Sequence, residues 1–326
     1  MSLLKALVTG GAGFIGSNLV RHLVSKGFKV KIIDNLTSGK LSNIKKYINE
    51  GSAEFIYCDL KYVKPKELAQ YFVDVDVVYH LAANPEVRVS VTEPEIHFKE
   101  NVVATFNVLE ACRLASVPLL VFTSSSTVYG DAKVFPTPED YTPLEPISVY
   151  GASKLASENM IITYSMLYGI KAVILRLANI VGPNQTHGVI VDFINKLRRN
   201  PQELEILGDG TQKKSYLHIN DLLKAFDIVV EFMEGKSRKS YDIFNVGNED
   251  WITVREIADI VVEEMGLRNV KYIFKPGTKD GRGWIGDVKF MLLDIRKLKS
   301  IGWKPELSSS DAIRLTVRSL LGINDG

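Results

Sequence analysis

The chain has little cysteine: Cys58 and Cys112 are the two in 326 residues. That is too few for a disulfide framework, and both fall in apolar patterns that read as buried free thiols. No apolar run approaches the ~18–20 residues that cross a bilayer. The first residues enter an apolar strand pattern with neither a basic n-region nor an apolar h-region, so the expectation is a cytoplasmic protein. An excess of charge of one sign is also missing. With 40 Lys and Arg against 38 Asp and Glu, the formal charge of +2 supplies no field that would draw nucleic acid or an anionic membrane as partner. The 5 histidines, His22, His80, His97, His187 and His218, are scattered, so no metal-ligand cluster is expected. There is no internal repeat and no low-complexity linker.

What is present is ordinary globular composition, 46% hydrophobic and 24% charged, enough for one large core and a lobe. Apolar runs alternate with amphipathic segments through the first half. Leu3–Val8, Lys29–Ile33, Ala53–Tyr57, Val75–Tyr79, Leu119–Thr123 and Ala172–Leu175 read as short strands buried on both faces. Gly13–Ser25, Glu95–Leu114 and Val149–Tyr168 read as helices between them. This alternation predicts an α/β fold, a Rossmann-type doubly wound parallel sheet spanning residues 1–181. After about Gly182 the loops lengthen. Asp192–Arg199, Asp221–Glu234, Thr253–Gly266 and Ser309–Leu321 suit the helices of a smaller, interleaved C-terminal substrate-binding lobe, residues 182–326. Segments around 214–250 are expected to return to the first domain, with Phe244–Gly247 as a further strand.

Gly10, Gly13 and Gly16 follow the first strand and open a helix, together with Gly11, Phe14 and Ile15. In that context glycine permits a tight turn, backbone N–H groups approach a pyrophosphate, and the helix N-terminus adds partial positive charge. Asp34 ends the second strand, where a carboxylate accepts from both adenosine-ribose hydroxyls and repels a 2′-phosphate, which favours NAD over NADP. Asn35 and Leu36 would border the adenosine, and Asp59 and Leu60 would reach the adenine edge.

Tyr150 and Lys154 stand i, i+4 on a predicted helix and so share a face. A phenol titrating near 10 in water must lose roughly three units to act as a base at neutral pH, about 4 kcal/mol of differential stabilisation. Lys154 and a positive nicotinamide ring together would favour the phenolate. Ser125, at the end of the fifth strand, would hydrogen-bond the same substrate oxygen. His218 is expected to be structural and to lead into a helix, and His80 to cap the fourth strand.

With these motifs on the page, the chain resembles the extended short-chain dehydrogenase/reductase family, and within it the UDP-glucose 4-epimerase-like sugar-nucleotide enzymes. The resemblance also rests on Asp34–Gly39, on Ala82-Ala83 and on Asn101–Thr105. It continues through Leu175–Pro183, Leu207–Gln212, Tyr216–Asp221, Phe244–Gly247 and Ile301–Trp303, covering nearly the whole chain. It implies an NAD-dependent isomerase interconverting UDP-glucose and UDP-galactose, or N-acetyl or uronate analogues, by transient oxidation at C4. Related dehydratases and decarboxylases carry a carboxylate in the turn where this chain has Ser125-Ser126-Thr127, so elimination chemistry lacks its acid and base. A reductase or dehydratase of the same fold, and a non-catalytic dinucleotide-binding scaffold, are the competing readings. The resemblance implies catalytic Ser125, Tyr150 and Lys154, and adds Leu81, Ala82, Ala83 and Asn101 to the cofactor set. For the nucleotide sugar it implies Ser125, Asn179, Val189 in a loop before the Asp192–Arg199 helix, Leu207, Lys214, Tyr216 and Arg282. Lys214 stands where many relatives carry arginine, and Arg282 is the candidate for a bidentate phosphate contact. Asn84-Pro85 stands near where the bacterial galactose epimerases place a lysine. Met291 stands near a position where a bulky aromatic excludes an N-acetyl group in some relatives. A homodimer through Glu95–Leu114 and Val149–Tyr168 is implied too.

Overall fold

The computed structural model describes residues 4–323, and among them the chain forms two compact units. The first takes in the residues up to Ser125, then Val149–Arg176 and Ala225–Phe244, and the second takes in Ser126–Ser148, Leu177–Lys224 and the residues from Asn245 on. This division differs from the expected boundary at residue 181 in three places. The boundary falls after Arg176, the segment between Ser125 and Val149 leaves the first unit, and the returning segment is the narrower Ala225–Phe244. The reason is hydrogen bonding: Thr137 and Glu139 are tied to residues 245–294, through Thr137 N to Leu292 O at 2.8 Å and Asn245 N to Glu139 at 2.9 Å.

The strands are β1 Lys5–Thr9, β2 Lys29–Asp34, β3 Ala53–Tyr57, β4 Val77–His80, β5 Leu119–Ser125, β6 Lys171–Leu177, β7 Asn179–Val181, β8 Glu203–Leu207, β9 Lys213–Lys214, β10 Tyr216–His218, β11 Tyr241–Val246, β12 Ile252–Thr253, β13 Lys271–Lys275 and β14 Phe290–Met291. Seven of them form one sheet in the order β11-β6-β5-β4-β1-β2-β3. Of the expected strands, Ala53–Tyr57 is matched residue for residue, the other five of the first half lie within two residues of their expected ends, and Phe244–Gly247 is the end of the longer β11, Tyr241–Val246; Leu3 lies outside the described residues. β4 is buried at every position and β5 at all but its last, as expected of strands covered on both faces. The edge strand β3 is buried only at Ala53 and Ile56. The strand order reverses between β1 and β4, and in such sheets the crevice beyond the carboxyl ends at that point is where a ligand sits.

Two helices decide the site. The first runs Phe14–Ser25 directly off the glycine loop. The second, Val149–Tyr168, buries Gly151, Ser153, Lys154, Ser157, Glu158, Ile161 and Ser165, a stripe at helical spacing that is mostly small or polar. An ordinary amphipathic helix would bury Leu and Val there. Ile161 is the aliphatic exception and joins the core with Val108, Phe122 and Ile174.

The expected helix Glu95–Leu114 is not continuous. It consists of Pro94–His97, a π-helical turn Phe98–Val103, and Ala104–Leu114. Such turns often mark functional sites; here the wide turn contains Asn101, buried at 1% exposure. No helix of the described residues is long and apolar enough to cross a membrane.

Ile161 is 1% exposed and is the main apolar anchor of its helix. Ile161→Ala is therefore expected to lower stability by about 2–5 kcal/mol, read as a fall in the urea midpoint at unchanged slope.

Candidate active site

The loop after β1 is built for close approach. Gly10 has φ +69°, and a Cβ there would stand 2.8 Å from the Ala82 nitrogen. A Cβ on Gly16 would stand 2.1 Å from the Gly10 carbonyl oxygen. Gly13 is the N-cap of the Phe14–Ser25 helix, no side chain caps its first turn, and no acidic residue lies in that turn. Uncapped first-turn amides and a cradle that any side chain would fill are what a pyrophosphate requires, so the residues fit a dinucleotide. Asp34, 8% exposed, uses its carboxylate to brace this loop, accepting from Ala12 N at 2.9 Å and Leu36 N at 2.7 Å. Those bonds use part of its capacity of roughly four acceptor sites, and the remainder suits the ribose. Asn35 donates to Asp59 at 3.1 Å, so the two expected adenosine neighbours are hydrogen-bonded to each other. Lys61, 2.9 Å from Asp59, helps hold that carboxylate below its usual range against the opposing effect of burial.

At the carboxyl ends of β1 and β4, hydrogen bonds fix a tautomer. The Thr9 hydroxyl oxygen accepts from Leu81 N and Ala82 N, both at 3.2 Å. With both lone pairs taken, its own proton goes to His80 Nδ1 at 2.8 Å. His80 Nε2 therefore carries the hydrogen and donates to Thr105 Oγ1 at 3.0 Å, and Thr105 donates to the Asn101 carbonyl at 2.6 Å. Burial pushes His80 down to about 3, so it stays neutral and serves as a fixed connector. The chain continues from the Asn101 amide to Ser153 Oγ, and from Ser153 Oγ to the Tyr150 carbonyl, each at 2.7 Å. Asn101 Oδ1 also accepts from Asn84 N at 2.9 Å. The turn that carries Leu81, Ala82 and Ala83 is thus connected by hydrogen bonds to the helix that carries Tyr150.

The three expected catalytic side chains come together. Ser125 hydrogen-bonds the Tyr150 phenol. The Lys154 ammonium donates to the Thr123 carbonyl at 2.9 Å, lies 4.9 Å from the Phe122 ring centroid and 5.9 Å from that of Tyr150. Burial pushes Tyr150 up to about 12, with the Ser125 bond acting the other way. Burial pushes Lys154 down to about 8, with Glu158 opposing. From about 12 to neutrality is worth about 7 kcal/mol. A positive charge near the phenol favours the phenolate, and Lys154 places one beside the ring. An oxidised nicotinamide ring would add a second.

Two residues here had no assigned role from sequence. His97, fully buried, meets Tyr150 edge to face at 5.5 Å, and burial holds its imidazole below the ordinary value. Glu158, one helical turn beyond Lys154, is joined to Ser124 and to Arg176. The spacing Tyr150-Lys154-Glu158 could have signalled the second; nothing in the sequence pairs His97 with Tyr150.

The remaining expected substrate residues lie in the second unit. Asn179 and Tyr216 pair across the parallel strands β7 and β10. Val189 is not in a loop: it is the first residue of the Val189–Arg199 helix, because Gly188 at φ +95° ends the loop just before it. Leu207 ends β8. Lys214 pairs with the buried Asp287 at 2.7 Å. Arg282 Nε donates to Asp280 at 2.7 Å, and Nη1 donates to Asp131 and to the Asp287 carbonyl at 2.9 Å each. Both cations expected at a diphosphate thus already have anionic partners. His218 accepts from Asn220 N at 3.3 Å at the start of the Ile219–Gly235 helix.

Residues 6–247 match the NAD dependent epimerase/dehydratase family. A UDP-glucose 4-epimerase of Mycolicibacterium smegmatis is 32% identical over 320 residues, 96% of this chain and 97% of that protein. A solved UDP-galactose 4-epimerase superposes with a TM-score of 0.86 at 46% identity, covering 98% of this chain and 99% of the other. The UDP-glucose 4-epimerase of Thermus thermophilus, solved with NAD, superposes at 0.84 with 33% identity, over 98% of this chain and 100% of that one. The similarity extends across neighbouring chemistries. UDP-glucuronic acid decarboxylase 4 of Arabidopsis thaliana is 31% identical over 97% of this chain and 68% of its own length.

Gly10→Ala places a methyl group 2.8 Å from the Ala82 nitrogen at φ +69°. It is expected to weaken NAD binding at least tenfold, about 1.4 kcal/mol, in calorimetric titration, with the helix content unchanged.

Proposed function

The chain belongs to the NAD dependent epimerase/dehydratase family, and from that premise we propose that it is a UDP-hexose 4-epimerase interconverting UDP-glucose and UDP-galactose. It is an NAD-dependent enzyme of the UDP-sugar epimerase/dehydratase class. The observation that carries the finer reading is the turn Ser125-Ser126-Thr127. The Ser125 hydroxyl meets Tyr150, and no carboxylate stands in that turn to remove a ring proton or to protonate a leaving group.

In this reading Gly10, Gly13, Phe14, Ile15 and Gly16 hold the pyrophosphate, and Asp34, Asn35, Asp59 and Leu60 the adenosine. Leu81, Ala82, Ala83, Asn101, Tyr150 and Lys154 hold the nicotinamide half. When bound, NAD supplies reversible acceptance of the C4 hydride. The protein handles the proton. The Tyr150 phenolate takes it from the C4 hydroxyl and returns it when the alkoxide re-forms, so protons balance over a turnover. Ser125 donates to the same sugar oxygen and keeps its distance from Tyr150 short. Lys154 favours the phenolate by its charge.

We assign the nucleoside diphosphate to Asn179, Val189, Leu207, Lys214, Tyr216 and Arg282. Its phosphates would compete with Asp131 and Asp280 for the Arg282 guanidinium, an exchange of one charge-assisted bond set for another. We also propose a homodimer. Phe98, Phe106 and Leu114 recur every eight residues and are 56%, 44% and 41% exposed, and Met166 and Leu167 end the neighbouring helix at 67% each. A second copy of the same face would bury them.

Purified protein incubated with UDP-galactose is expected to form UDP-glucose without net NADH release. Tyr150→Phe is expected to lower kcat by about 10²–10⁴-fold while retaining NAD. Turnover near wild type in that variant would refute Tyr150 as the base.

A further inference from the structure

An ion pair at full burial is an expensive way to fill a core, since a hydrophobic pair of the same volume is commonly as stable or more so. Glu158 and Arg176 form such a pair at 2.8 Å, with side chains 1% and 3% exposed. Arg176 holds the carboxylate with both Nε and Nη2. The Ser124 hydroxyl donates to the same carboxylate from the residue next to Ser125. Glu158 lies i+4 from Lys154 and hence on the same helical face, and Lys154 is itself 3% exposed.

We propose that Glu158 is a positioning residue that keeps Lys154 charged and directed at the end of β5, with Arg176 and Ser124 fixing the Glu158 carboxylate in turn. The proposal rests on the reading of Tyr150 and Lys154 as the proton-handling pair. Among the groups around Lys154, Glu158 is the anionic one that acts to keep it charged against burial. On its own helix these are Tyr150 and Glu158, and on β5 the Phe122 ring and the Thr123 carbonyl. On β4 His80, and from the Pro94–His97 helix His97, are both held neutral by burial. On β6 Arg176 pairs with Glu158. The buried set Lys154, Glu158 and Arg176 carries one net positive charge. That surplus is available to the phenolate only while Lys154 stays protonated. Lys154 sits near about 8, and Glu158 is the influence holding it up against burial.

The experiment follows initial rates with UDP-galactose across the neutral to alkaline range in Glu158→Gln, Glu158→Asp and Arg176→Gln. Glutamine keeps the shape and an acceptor for Arg176 but removes the charge. In Glu158→Gln the alkaline limb of kcat/KM is expected to move down by about one pH unit or more, with KM little changed. Glu158→Asp should restore most of it. Arg176→Gln frees the carboxylate for Lys154 and should move the limb the other way, which general loosening of the core would not do. An unmoved limb in Glu158→Gln, or equal shifts in the same direction in the Gln variants, overturns the proposal. If Glu158→Gln does not fold, the Arg176→Gln limb decides alone.

A second readout needs no turnover. Lys154 titrates lower in the folded chain than in the unfolded one, so its charged form costs stability below about 8 and that cost disappears as pH rises. Removing Glu158 enlarges the cost, so the difference in thermal stability between Glu158→Gln and wild type should shrink as pH passes about 8. A constant difference means a purely structural role. Wild-type protein inactive on UDP-galactose would refute the epimerase reading and leave this arm to test Glu158.

Discussion

A single buried imidazole fixes the spacing on which this site depends. His80 can satisfy its ring in one way only, accepting from Thr9 and donating to Thr105. That choice is forced because the Thr9 oxygen is already used by two backbone amides. The line then runs through Asn101 and Ser153 to the backbone of Tyr150. Every member is buried or nearly so. In a low-dielectric interior such a network tolerates little displacement, because moving one member strands another. The turn at the carboxyl ends of β1 and β4 and the helix that carries Tyr150 are therefore held in one frame.

The electrostatics follow the same economy of few charges. Tyr150 is harder to ionise here than in water, because burial disfavours the phenolate. A positive charge beside the phenol, from Lys154 and in the proposed mechanism from the oxidised cofactor, favours its ionised form. Burying Lys154 strengthens its influence on Tyr150, yet the same burial makes its own charge harder to keep. The helix face resolves this conflict with a carboxylate one turn further on.

Much of this was legible in the chain. Strand-and-helix alternation gave six of the seven main-sheet strands within one or two residues, since fully buried parallel strands appear as short apolar runs. The seventh, β11, was legible only as Phe244–Gly247, because Tyr241-Asp242 interrupts its apolar run. Glycine spacing located the cradle because close backbone approach leaves glycine no substitute. The Tyr150/Lys154 helix was read to the residue. The π turn at Phe98–Val103 was not, because helical periodicity averages over one extra residue and cannot show where the ladder widens. Val189 was misplaced for a similar reason: apolar Val189 to Val191 continue the helix upstream of Asp192, while the boundary lies in the conformation of Gly188. Asp287 lies 73 positions from Lys214, and Asp131, one of the partners of Arg282, lies 151 away, and no local pattern announces such pairs. The edge-on meeting of His97 with Tyr150 belongs to the same class.

The order in which the chain visits its two units bears on how it can be made. The first unit needs residues as late as Phe244, since β11 is an outer strand of its sheet. A ribosome that has synthesised through Arg176 has delivered six of the seven strands, with β6 waiting at an unprotected edge. Most of the second unit's central stretch must emerge before that edge is covered. The two units cannot therefore mature one after the other as separable modules. A split or fused gene that respected only the linear halves would leave β6 exposed to pairing with another chain.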